Sequence, residues 1–435
     1  MATATNPNAA FTILQNAGFP VVTVGSPPKI NFTVLDNGAV VKGLTSANVS
    51  LGLAKLVKGT NGAPDQWVSY VYRTETATAG VGPGGAPVLA TAKQPTTDTK
   101  SDPQLVYNSA GYYTYTFSTD ITDPTKTNGV TYEPSLTHRV AIQLSYTNTA
   151  GATVRVNPTF DFTLSSSNTS QPVTDSKLTR KVVDVTSCNE CHDKLALHGG
   201  GRIDTQYCVV CHNGGLTDAN SGNVLDLRIM AHKIHAGEHA KEWFGTEYTI
   251  WGYRDTAHNY AEVRYPQPLQ NCTKCHSASK TGADGKQLAA QGDNWKNVPS
   301  RAACGACHQG IDFATGKGLR IEDAENGLTT SQFGHVGGSQ ADDSKCALCH
   351  GPAAIETYHV TVDPKGSEGR GGYPVNTALN TPTAGYPAGQ GPGIPLASAD
   401  RVPEGVYKID YEIKQASIIG AAGAKQAQVV YRVLK

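Results

Sequence analysis

All ten cysteines of this 435-residue chain fall into five copies of the pattern Cys-x-x-Cys-His. This pattern is the attachment site of a c-type haem. The two thiols add to the vinyl groups of one porphyrin, and the histidine that follows lies on one face as the proximal iron ligand. Five copies that leave no cysteine over predict five covalently bound haems. The predicted attachment residues are Cys188, Cys191, Cys208, Cys211, Cys272, Cys275, Cys304, Cys307, Cys346 and Cys349, and the predicted proximal ligands are His192, His212, His276, His308 and His350.

Two other uses of paired cysteines compete with this interpretation. Cys-x-x-Cys pairs can bind zinc, but a zinc site needs no histidine directly after every pair. Ten cysteines can also form five disulfides, which would leave the five histidines unexplained. Covalent haem is the interpretation that uses every residue of the pattern.

The ligand on the other side of each iron decides what a haem can do. A second strong ligand favours electron transfer, whereas an open position permits chemistry on a substrate. Met230 is the only internal methionine, so methionine can cap at most one haem. Thirteen histidines less the five proximal ones leave enough for five bis-histidine sites. These are His138, His198, His232, His235, His239, His258, His335 and His359.

The spacing of these histidines narrows the choice. One helix is predicted near residues 226–241, with His232, His235 and His239 on one face. Two adjacent turns can reach two different irons, although a solvated polar face is the alternative. His198 follows the first motif too closely to cap its own haem comfortably. His239 and His258 are alternatives as distal ligands, and His138 is expected to be a hydrogen-bonded structural residue.

Composition excludes several function classes. Lys plus Arg and Asp plus Glu both number 36, so nothing suggests a nucleic acid or an anionic membrane surface as the main partner. No apolar run approaches the roughly 18 residues of a membrane span. The first residues lack a signal peptide. Because c-type haem is attached outside the cytoplasm, we expect a processed N-terminus and a location outside the cell. No cysteine is left over to carry a lipid anchor.

The chain is expected to be multidomain. Residues 1–180, called the β domain, alternate apolar and polar side chains in short runs that predict an antiparallel sandwich or barrel. Examples are Ile30, Phe32 and Val34, which lead into the turn signal Asp36-Asn37-Gly38. The Gly- and Pro-rich stretch 77–99 predicts a long loop.

Residues 181–363, called the haem region, carry so many haems that the macrocycles must supply the core. We expect short helices and irregular segments there. Residues 364–403 predict a Gly/Pro-rich linker. Residues 404–435 predict a β-hairpin, with Tyr407, Ile409, Tyr411 and Ile413 on one apolar face, and with Val429, Tyr431 and Val433 in its second strand. Such a hairpin must pack on the β domain, pair with another chain or begin a second β domain.

The chain resembles the outer-membrane multihaem cytochromes of the OmcA/MtrC family. The resemblance rests on Cys188–Gly200 with its trailing His-Gly-Gly, on the motif at Cys208, on Ala231–Gly237, and on Tyr265-Pro266 ahead of Asn271–His276. It covers nearly the whole chain. Typical members are decahaem, with two halves of barrel and pentahaem module, and this chain matches one half.

The resemblance implies a Greek-key barrel or sandwich before a bis-histidine pentahaem module. It implies His198, His232, His235, His335 and His359 as the distal ligands. It also implies electron transfer to minerals, soluble metals or flavins, with flavin as a transient partner. Other multihaem cytochromes or a porin–cytochrome conduit are the implied protein partners, at the outer face of the outer membrane or in secreted form.

Three functions remain open from the residues. The first is an electron carrier or terminal metal reductase rather than an enzyme with a dedicated substrate site. The second is a reductase of nitrite or a similar small oxyanion with one open haem. Pentahaem nitrite reductases use a lysine-ligated haem, however, and no Cys-x-x-Cys-Lys occurs here. The third is the structural subunit of a haem filament, built through exposed strand edges.

Overall fold

The structure is a computed structural model that describes residues 20–100, 104–266, 269–282, 285–359, 410–419 and 426–434. The chain falls into two units, one formed by residues up to 266 with 274–349, and the other by 267–273 with residues from 350 onward. The predicted linker 364–403 lies outside the described residues, as do Tyr407 and Ile409.

Two antiparallel sheets and two separate hairpins form the described part of the β domain. Their strands are β1 (Val22–Thr23), β2 (Lys29–Phe32), β3 (Leu35–Asp36), β4 (Ala39–Val40), β5 (Val49–Val57), β6 (Gln66–Ser69), β7 (Tyr72–Thr76), β8 (Thr91–Pro95), β9 (Leu105–Asn108), β10 (Tyr112–Thr116), β11 (His138–Thr147), β12 (Thr153–Val156), β13 (Thr159–Leu164) and β14 (Ser170–Pro172). One sheet has the order β1-β2-β10-β9, and the other has the order β14-β13-β11-β5-β6 with β12 beside β11.

The alternating side chains build one core between these sheets. Ile30 and Phe32 of β2, Tyr113 and Tyr115 of β10, and Val140 of β11 are all buried in a single cluster. The predicted all-β fold and the strands read from these residues are confirmed. The turn between β3 and β4 is also as predicted, because Asn37 and Gly38 have φ values of 50° and 82°, as a two-residue hairpin requires.

The prediction of a long loop over residues 77–99 is wrong in part. Strand β8 pairs antiparallel with β7, in the register Tyr72↔Pro95 to Thr76↔Thr91. The sequence of β8, Thr-Ala-Lys-Gln-Pro, lacks the β-branched and aromatic pattern that signals a strand. Its pairing with β7 and the burial of Gln94 hold it in place instead.

Short helices and turns make up most of the haem region. The helices are α1 (Val185–His192), α2 (Thr205–Cys211), α3 (Leu227–His235), α4 (Gly237–Phe244), α5 (Asn294–Asn297), α6 (Arg301–Cys304), α7 (Ile321–Glu325), α8 (Cys346–Cys349) and α9 (Pro352–Tyr358). Two small hairpins lie among them, β15 (Thr249–Trp251) with β16 (Ala257–Asn259), and β17 (Ile311–Asp312) with β18 (Lys317–Gly318). Among the described residues, no helix is long and apolar enough to cross a membrane.

The single helix predicted near residues 226–241 is two helices, α3 and α4. The break falls at Ala236, where the N–H of Glu238 donates to the carbonyl of Val263 at 3.0 Å and not to the preceding helical turn. Gly237 makes this possible, since a Cβ there would lie 1.8 Å from the carbonyl oxygen of Tyr260. His239 therefore belongs to α4, and the prediction that it shares one helical face with His232 and His235 is wrong.

The burial of apolar side chains differs sharply between the β domain and residues 274–349 of the haem region. The sheets enclose a large cluster of Val, Ile, Leu, Phe and Tyr side chains. Between residues 274 and 349, by contrast, the only buried hydrophobic residues among those described are Ala289 and Ala306. Large apolar side chains such as Phe333, Val336 and Leu348 are exposed there, with accessibilities of 61%, 81% and 79%. The polypeptide of this part forms almost no core of its own.

The C-terminal strands are present as predicted. Strand β19 (Asp410–Ile419) pairs antiparallel with β20 (Gln426–Leu434). The register places Tyr411 opposite Val433 and Ile413 opposite Tyr431, with an irregularity between Ile413 and Gln415.

A buried arginine joins the β domain to the haem region. The guanidinium of Arg139 pairs with Asp161 at 2.6 Å and lies 4.2 Å from the centre of the Trp67 ring. It also donates to the backbone carbonyl of Gln206 in α2 at 3.2 Å, and to that of Thr179 at 2.9 Å. A single charged side chain thus holds both regions in one arrangement.

We predict that Arg139→Ala strongly destabilises the protein, because it leaves the Asp161 carboxylate buried without its partner. The expected loss is about 3–5 kcal/mol in the free energy of unfolding, measured by guanidinium titration. Lys58→Ala is the matched control, since Lys58 pairs with Asp65 but is 71% exposed. It should cost at most about 1 kcal/mol. Similar losses in the two variants would contradict the anchoring role of Arg139.

Candidate haem sites

The attachment motifs adopt helical turns that put both thiols on one face. Residues three apart on a helix are neighbours, so a helical Cys-x-x-Cys directs two sulfurs to the same side. Helices α1, α2 and α8 each contain both cysteines of a motif. The fourth motif continues the turn of α6, because the N–H of His308 donates to the carbonyl of Cys304 at 2.8 Å. The third motif contains a 3₁₀ turn, Cys272–Lys274.

Local capping explains where the first two motif helices begin. The carboxylate of Asp184 accepts from the N–H of Thr186, and that of Asp204 accepts from the N–H of Gln206. All ten thiols are free in the structure. The described residues contain no group of three or more His, Cys, Asp or Glu side chains arranged to hold a metal ion.

Three motif histidines face a second histidine at a common distance. The ring centres lie 6.0 Å apart for His192 and His235, 5.9 Å for His212 and His198, and 6.0 Å for His276 and His232. Imidazole nitrogens bound about 2 Å from a metal on either side would place two ring centres roughly 6 Å apart. The chain thus leaves room for one iron between each pair, and the residues present fit a bis-histidine haem.

Helix α3 serves two of these pairs. His235 at its end faces the first motif, and His232 one turn earlier faces the third. A second link joins the same motifs, because Glu190 from inside the first motif pairs with Lys274 from inside the third. Lys280 also pairs with Glu190, at 2.8 Å. The first and third sites are therefore neighbours along one helix.

A left-handed turn carries His198 toward the second motif. His198, Gly199 and Gly200 have φ values of 50°, 74° and 81°, a conformation that costs an ordinary residue roughly 1–2 kcal/mol. Leu197 and Arg202 pair across this turn. The two glycines of His-Gly-Gly therefore let the chain reverse its direction immediately after His198.

His335 is bound to the segment that follows the fourth motif. Its N–H donates to the carbonyl of Gly316 at 2.9 Å, in the turn between β17 and β18. Its ring meets Phe313 edge-on at 5.4 Å. His359 follows α9, just after the fifth motif, and lies near enough to His350 for the two imidazoles to interact electrostatically. Burial, and secondarily His350, lower the pKa of His359.

Backbone carbonyls orient four of the candidate ligands. Nδ1 of His212 lies 3.0 Å from the carbonyl of Leu225, and Nδ1 of His235 lies 2.7 Å from that of Ala231. His335 and His359 make the same contact with Gly338 and Ile355, at 2.8 Å and 3.0 Å. A carbonyl can only accept, so Nδ1 must carry the hydrogen. Nε2 then carries the lone pair, which is the arrangement typical of metal-binding histidines.

Burial also favours the neutral form of four of the candidate ligands. It lowers the pKa of His198 and of His276 to about 4, and it lowers the pKa of His212 and His232. A neutral imidazole is the form that binds a metal.

The thiols are affected in the opposite direction. Burial raises the pKa of Cys188 and Cys307 to about 11 and that of Cys208 to about 12. These cysteines are therefore present as thiols and not as thiolates at neutral pH.

The remaining histidines have other surroundings. His239 stacks on Trp243 at 4.7 Å and lies 3.8 Å from Glu242. His258 is exposed on β16, opposite Ile250. His138 is fully buried, with hydrogen bonds to the Tyr70 hydroxyl at 3.0 Å and the Leu136 carbonyl at 2.9 Å. The prediction that His138 is a structural residue is confirmed.

Two contacts at these sites were not predicted from the sequence. Tyr265 meets the ring of His235 edge-on at 5.4 Å, and the carbonyl of Leu225 orients His212. Tyr265 is part of the family resemblance, but nothing in the sequence indicates its contact with His235. A backbone carbonyl has no signature in a sequence.

Two family models match the chain. Residues 22–169 match the "OmcA-like N-terminal domain", and residues 180–360 match "Outer membrane cytochrome MtrC/MtrF-like, domains II/IV". The chain belongs to the OmcA/MtrC family of outer-membrane multihaem cytochromes.

The chain is also similar to individual proteins. The chain is 27% identical over 350 residues to the multiheme cytochrome MtrC of Shewanella baltica (strain OS185), which is 79% of this chain and 41% of that protein. It superposes on the crystal structure of the outer membrane decaheme cytochrome OmcA with a TM-score of 0.55 and 30% identity, over 66% of this chain and 42% of that one. The crystal structure of MtrC from Shewanella baltica OS185 gives a TM-score of 0.49 and 24% identity, over 78% and 43%. The chain thus spans about two fifths of the length of these relatives.

We predict that Gly200→Ala weakens the turn beneath His198. The new Cβ would require a φ of 81° and would lie 3.1 Å from Nη1 of Arg155. The backbone strain alone should lower the free energy of unfolding by about 1–2 kcal/mol. Gly25→Ala is the control, because its Cβ would meet only an ordinary contact at 3.6 Å without positive φ. Guanidinium titration checks both, and equal stability of the two variants would contradict the role given to this turn.

Proposed function

We propose that this chain holds five bis-histidine c-type haems and passes electrons through them to acceptors outside the cell. The proposed axial pairs are His192 with His235, His212 with His198, His276 with His232, His308 with His335, and His350 with His359. The three ring pairs near 6 Å are the observation that carries the proposal. Membership of the multihaem family supports it independently.

The roles of the chain's own residues follow from this ligation. When bound, haem iron supplies one-electron chemistry. The cysteine pairs fix each macrocycle, and the two histidines fill both axial positions, so that a substrate has no free position at the metal. Bis-imidazole ligation without methionine favours low reduction potentials. Such sites suit electron transfer better than the reduction of a small oxyanion at an open iron.

Contacts between motifs support a conduit. Helix α3 carries the histidines that face the first and third motifs, and Glu190 with Lys274 joins these two motifs a second time. Arg301, at the start of the fourth-motif helix, pairs with Asp343 at 2.9 Å, three residues before Cys346 of the fifth motif. Two pairs of motifs are thus joined directly, as electron transfer between neighbouring haems requires.

The acceptors and partners are proposed from the family. The relatives bear the names of outer-membrane cytochromes, so we place this protein at the outer face of the outer membrane or in secreted form. Minerals, soluble metals and flavins are the proposed acceptors, with other multihaem cytochromes or a porin–cytochrome conduit as electron donors. Edge contact with an exposed macrocycle is enough for such transfer, so a shaped substrate pocket is not required.

The ligation is tested by spectroscopy on the purified protein. Electron paramagnetic resonance and magnetic circular dichroism should show all five ferric haems in the low-spin state, and pyridine haemochrome analysis should give five haems per chain. A high-spin fraction near one iron in five would contradict uniform bis-histidine ligation. It would also revive the reductase with one open haem.

The histidine pairing is tested by substitution within α3. We predict that His235→Ala keeps five covalent haems but converts one iron to high spin, because the thioethers stay while the distal ligand is lost. His232→Ala should do the same at a different haem. His258→Ala is the control and should leave all five low-spin. A wild-type spectrum of His235→Ala would remove it from the ligand set.

Electron transfer itself is tested by stopped-flow oxidation. The fully reduced protein is mixed with a soluble ferric chelate or with flavin mononucleotide, and the haem absorbance is followed. We expect all five haems to be oxidised in one experiment, since each can pass its electron to a neighbour. A fraction of haem that stays reduced while the acceptor is in excess would show that the chain of sites is broken.

A further inference from the structure

The β domain holds the segment that carries His198. Asn157, directly after β12, accepts a hydrogen bond from the N–H of Ile203 at 2.6 Å, and its amide donates to the carbonyl of Gly201 at 3.0 Å. Gln143 of β11 accepts from Nε of Arg202 at 3.2 Å. These hydrogen bonds hold residues 201–203, the segment that follows the left-handed turn. The position of the His198 imidazole is therefore set relative to the sheet.

The β domain also holds the loop that orients His212. The carbonyl of Leu225 accepts from Nδ1 of His212. Leu225 ends a loop that begins at Leu216, and the N–H of Leu225 donates to the carbonyl of Leu216 at 2.8 Å. The tip of this loop lies on the β7–β8 hairpin. Glu75 accepts from the N–H of Ala219 at 3.0 Å, and Gln94 donates to the carbonyl of Thr217 at 2.9 Å.

The connection between β7 and β8 is also hydrogen-bonded to the tip of this loop, at Ala219 and Asn220. The N–H of Val88 donates to the carbonyl of Asn220 at 3.0 Å, and the N–H of Leu89 donates to that of Ala219 at 2.9 Å. The side chain of Asn220 donates back to the carbonyl of Val81 at 2.9 Å. The tip is thus fixed by backbone and side-chain bonds from one segment of the β domain.

The attachment helix of the same site rests on the sheet. In α2, which carries Cys208 and Cys211, Tyr207 and Val210 are buried in a cluster with residues of the β domain. These are Ala54, Leu56, Trp67 and Ala141. Arg139 donates to Gln206 of the same helix. The β domain therefore contacts the segments that carry or orient both thioether cysteines and both axial histidines of the second site.

We propose that the β domain positions both axial ligands of the second haem and thereby sets the ligand geometry and reduction potential of that haem. The inference rests on the ligand pairs of the proposed function. Asn157, Gln143, Glu75 and Gln94 are its positioning residues. The partners of metal-binding histidines fix ring orientation and ligand basicity, and hydrogen bonding around an iron tunes its potential.

The second site differs from its neighbours in what lies behind the acceptor. Nδ1 of His235, His335 and His359 donates to carbonyls only three or four residues away. Nδ1 of His212 donates instead to Leu225, at the end of a loop whose tip is hydrogen-bonded to the β domain. A partner that strains the β domain would therefore act first on one haem of the five. The β domain becomes a control element on the electron path and not only a support.

The distal side is tested with Asn157→Ala. Asn148→Ala is the matched control, because the Asn148 side chain also makes two hydrogen bonds to backbone groups. It accepts from the N–H groups of Ala150 and Ala152, but within a hairpin turn of the β domain. Carbon monoxide is added to the fully reduced proteins. We expect it to bind one haem in five about 10–100-fold faster in Asn157→Ala, because His198 is held less firmly. Binding no faster than in the control would overturn the distal half of the proposal.

The proximal side is tested with Glu75→Ala, at a side chain that is 24% exposed. The rings of His198 and His212 are inclined by 45°, and low-spin g values depend on this angle. We expect one of five low-spin signals and one step of the redox titration to move. Glu75→Gln keeps a carbonyl acceptor for Ala219 and should restore both. Unchanged signals in Glu75→Ala would overturn the proximal half.

His198→Ala distinguishes an error in the proposed ligand pair from an error in the positioning role of the β domain. If it leaves all five haems low-spin, the proposed ligand pair is wrong and the proposed function must be revised. If it gives one high-spin haem while Asn157→Ala and Glu75→Ala match the wild type, only the positioning role is wrong. Far-UV circular dichroism and haem content establish that each variant is folded. Should Asn157→Ala fail to fold, Glu75→Ala decides alone, because it removes one partly exposed side chain.

Discussion

An iron between two imidazoles imposes a spacing that the chain has to meet five times if the proposed ligation holds. The nitrogens bind at about 2 Å, so the rings must face each other roughly 6 Å apart across a space that the polypeptide leaves clear. Each motif supplies one ring within a helical turn. The facing ring comes from another segment, such as α3 or the turn at His198. Residues 274–349 are arranged by this requirement more than by apolar packing, because the only buried hydrophobic residues among those described there are Ala289 and Ala306.

The sequence predicts what is local. A Cys-x-x-Cys-His motif needs only its own residues, and β2, β10 and the C-terminal hairpin follow from alternating side chains. The OmcA/MtrC family was also recognisable, because its motifs lie in short stretches such as Cys188–Gly200. The distal ligand set remains a prediction, although the structure brings three of its members to motif histidines.

The features that escaped prediction all depend on distant contacts. The break at Ala236 arises because the carbonyl of Val263 takes the N–H of Glu238, and nothing near residue 236 announces it. Strand β8 exists through its pairing with β7 and through burial of Gln94. The bonds from Asn157 and Glu75 to the second site cross more than forty and more than a hundred residues of chain. A single sequence carries no record of such pairings.

Helix α3 has a consequence for how the protein is made. Under the proposed ligation, His232 and His235 serve irons whose porphyrins are attached separately, at Cys188 and Cys191 and at Cys272 and Cys275. A chain that lacks one of these two haems would keep only half of the iron anchoring of this helix. Apolar contacts would remain, because Met230 and Ile234 of α3 pack on the buried cluster of Leu216, Leu225 and Tyr248. Loss of one haem should therefore loosen one histidine of the helix while the apolar side chains hold the helix in place.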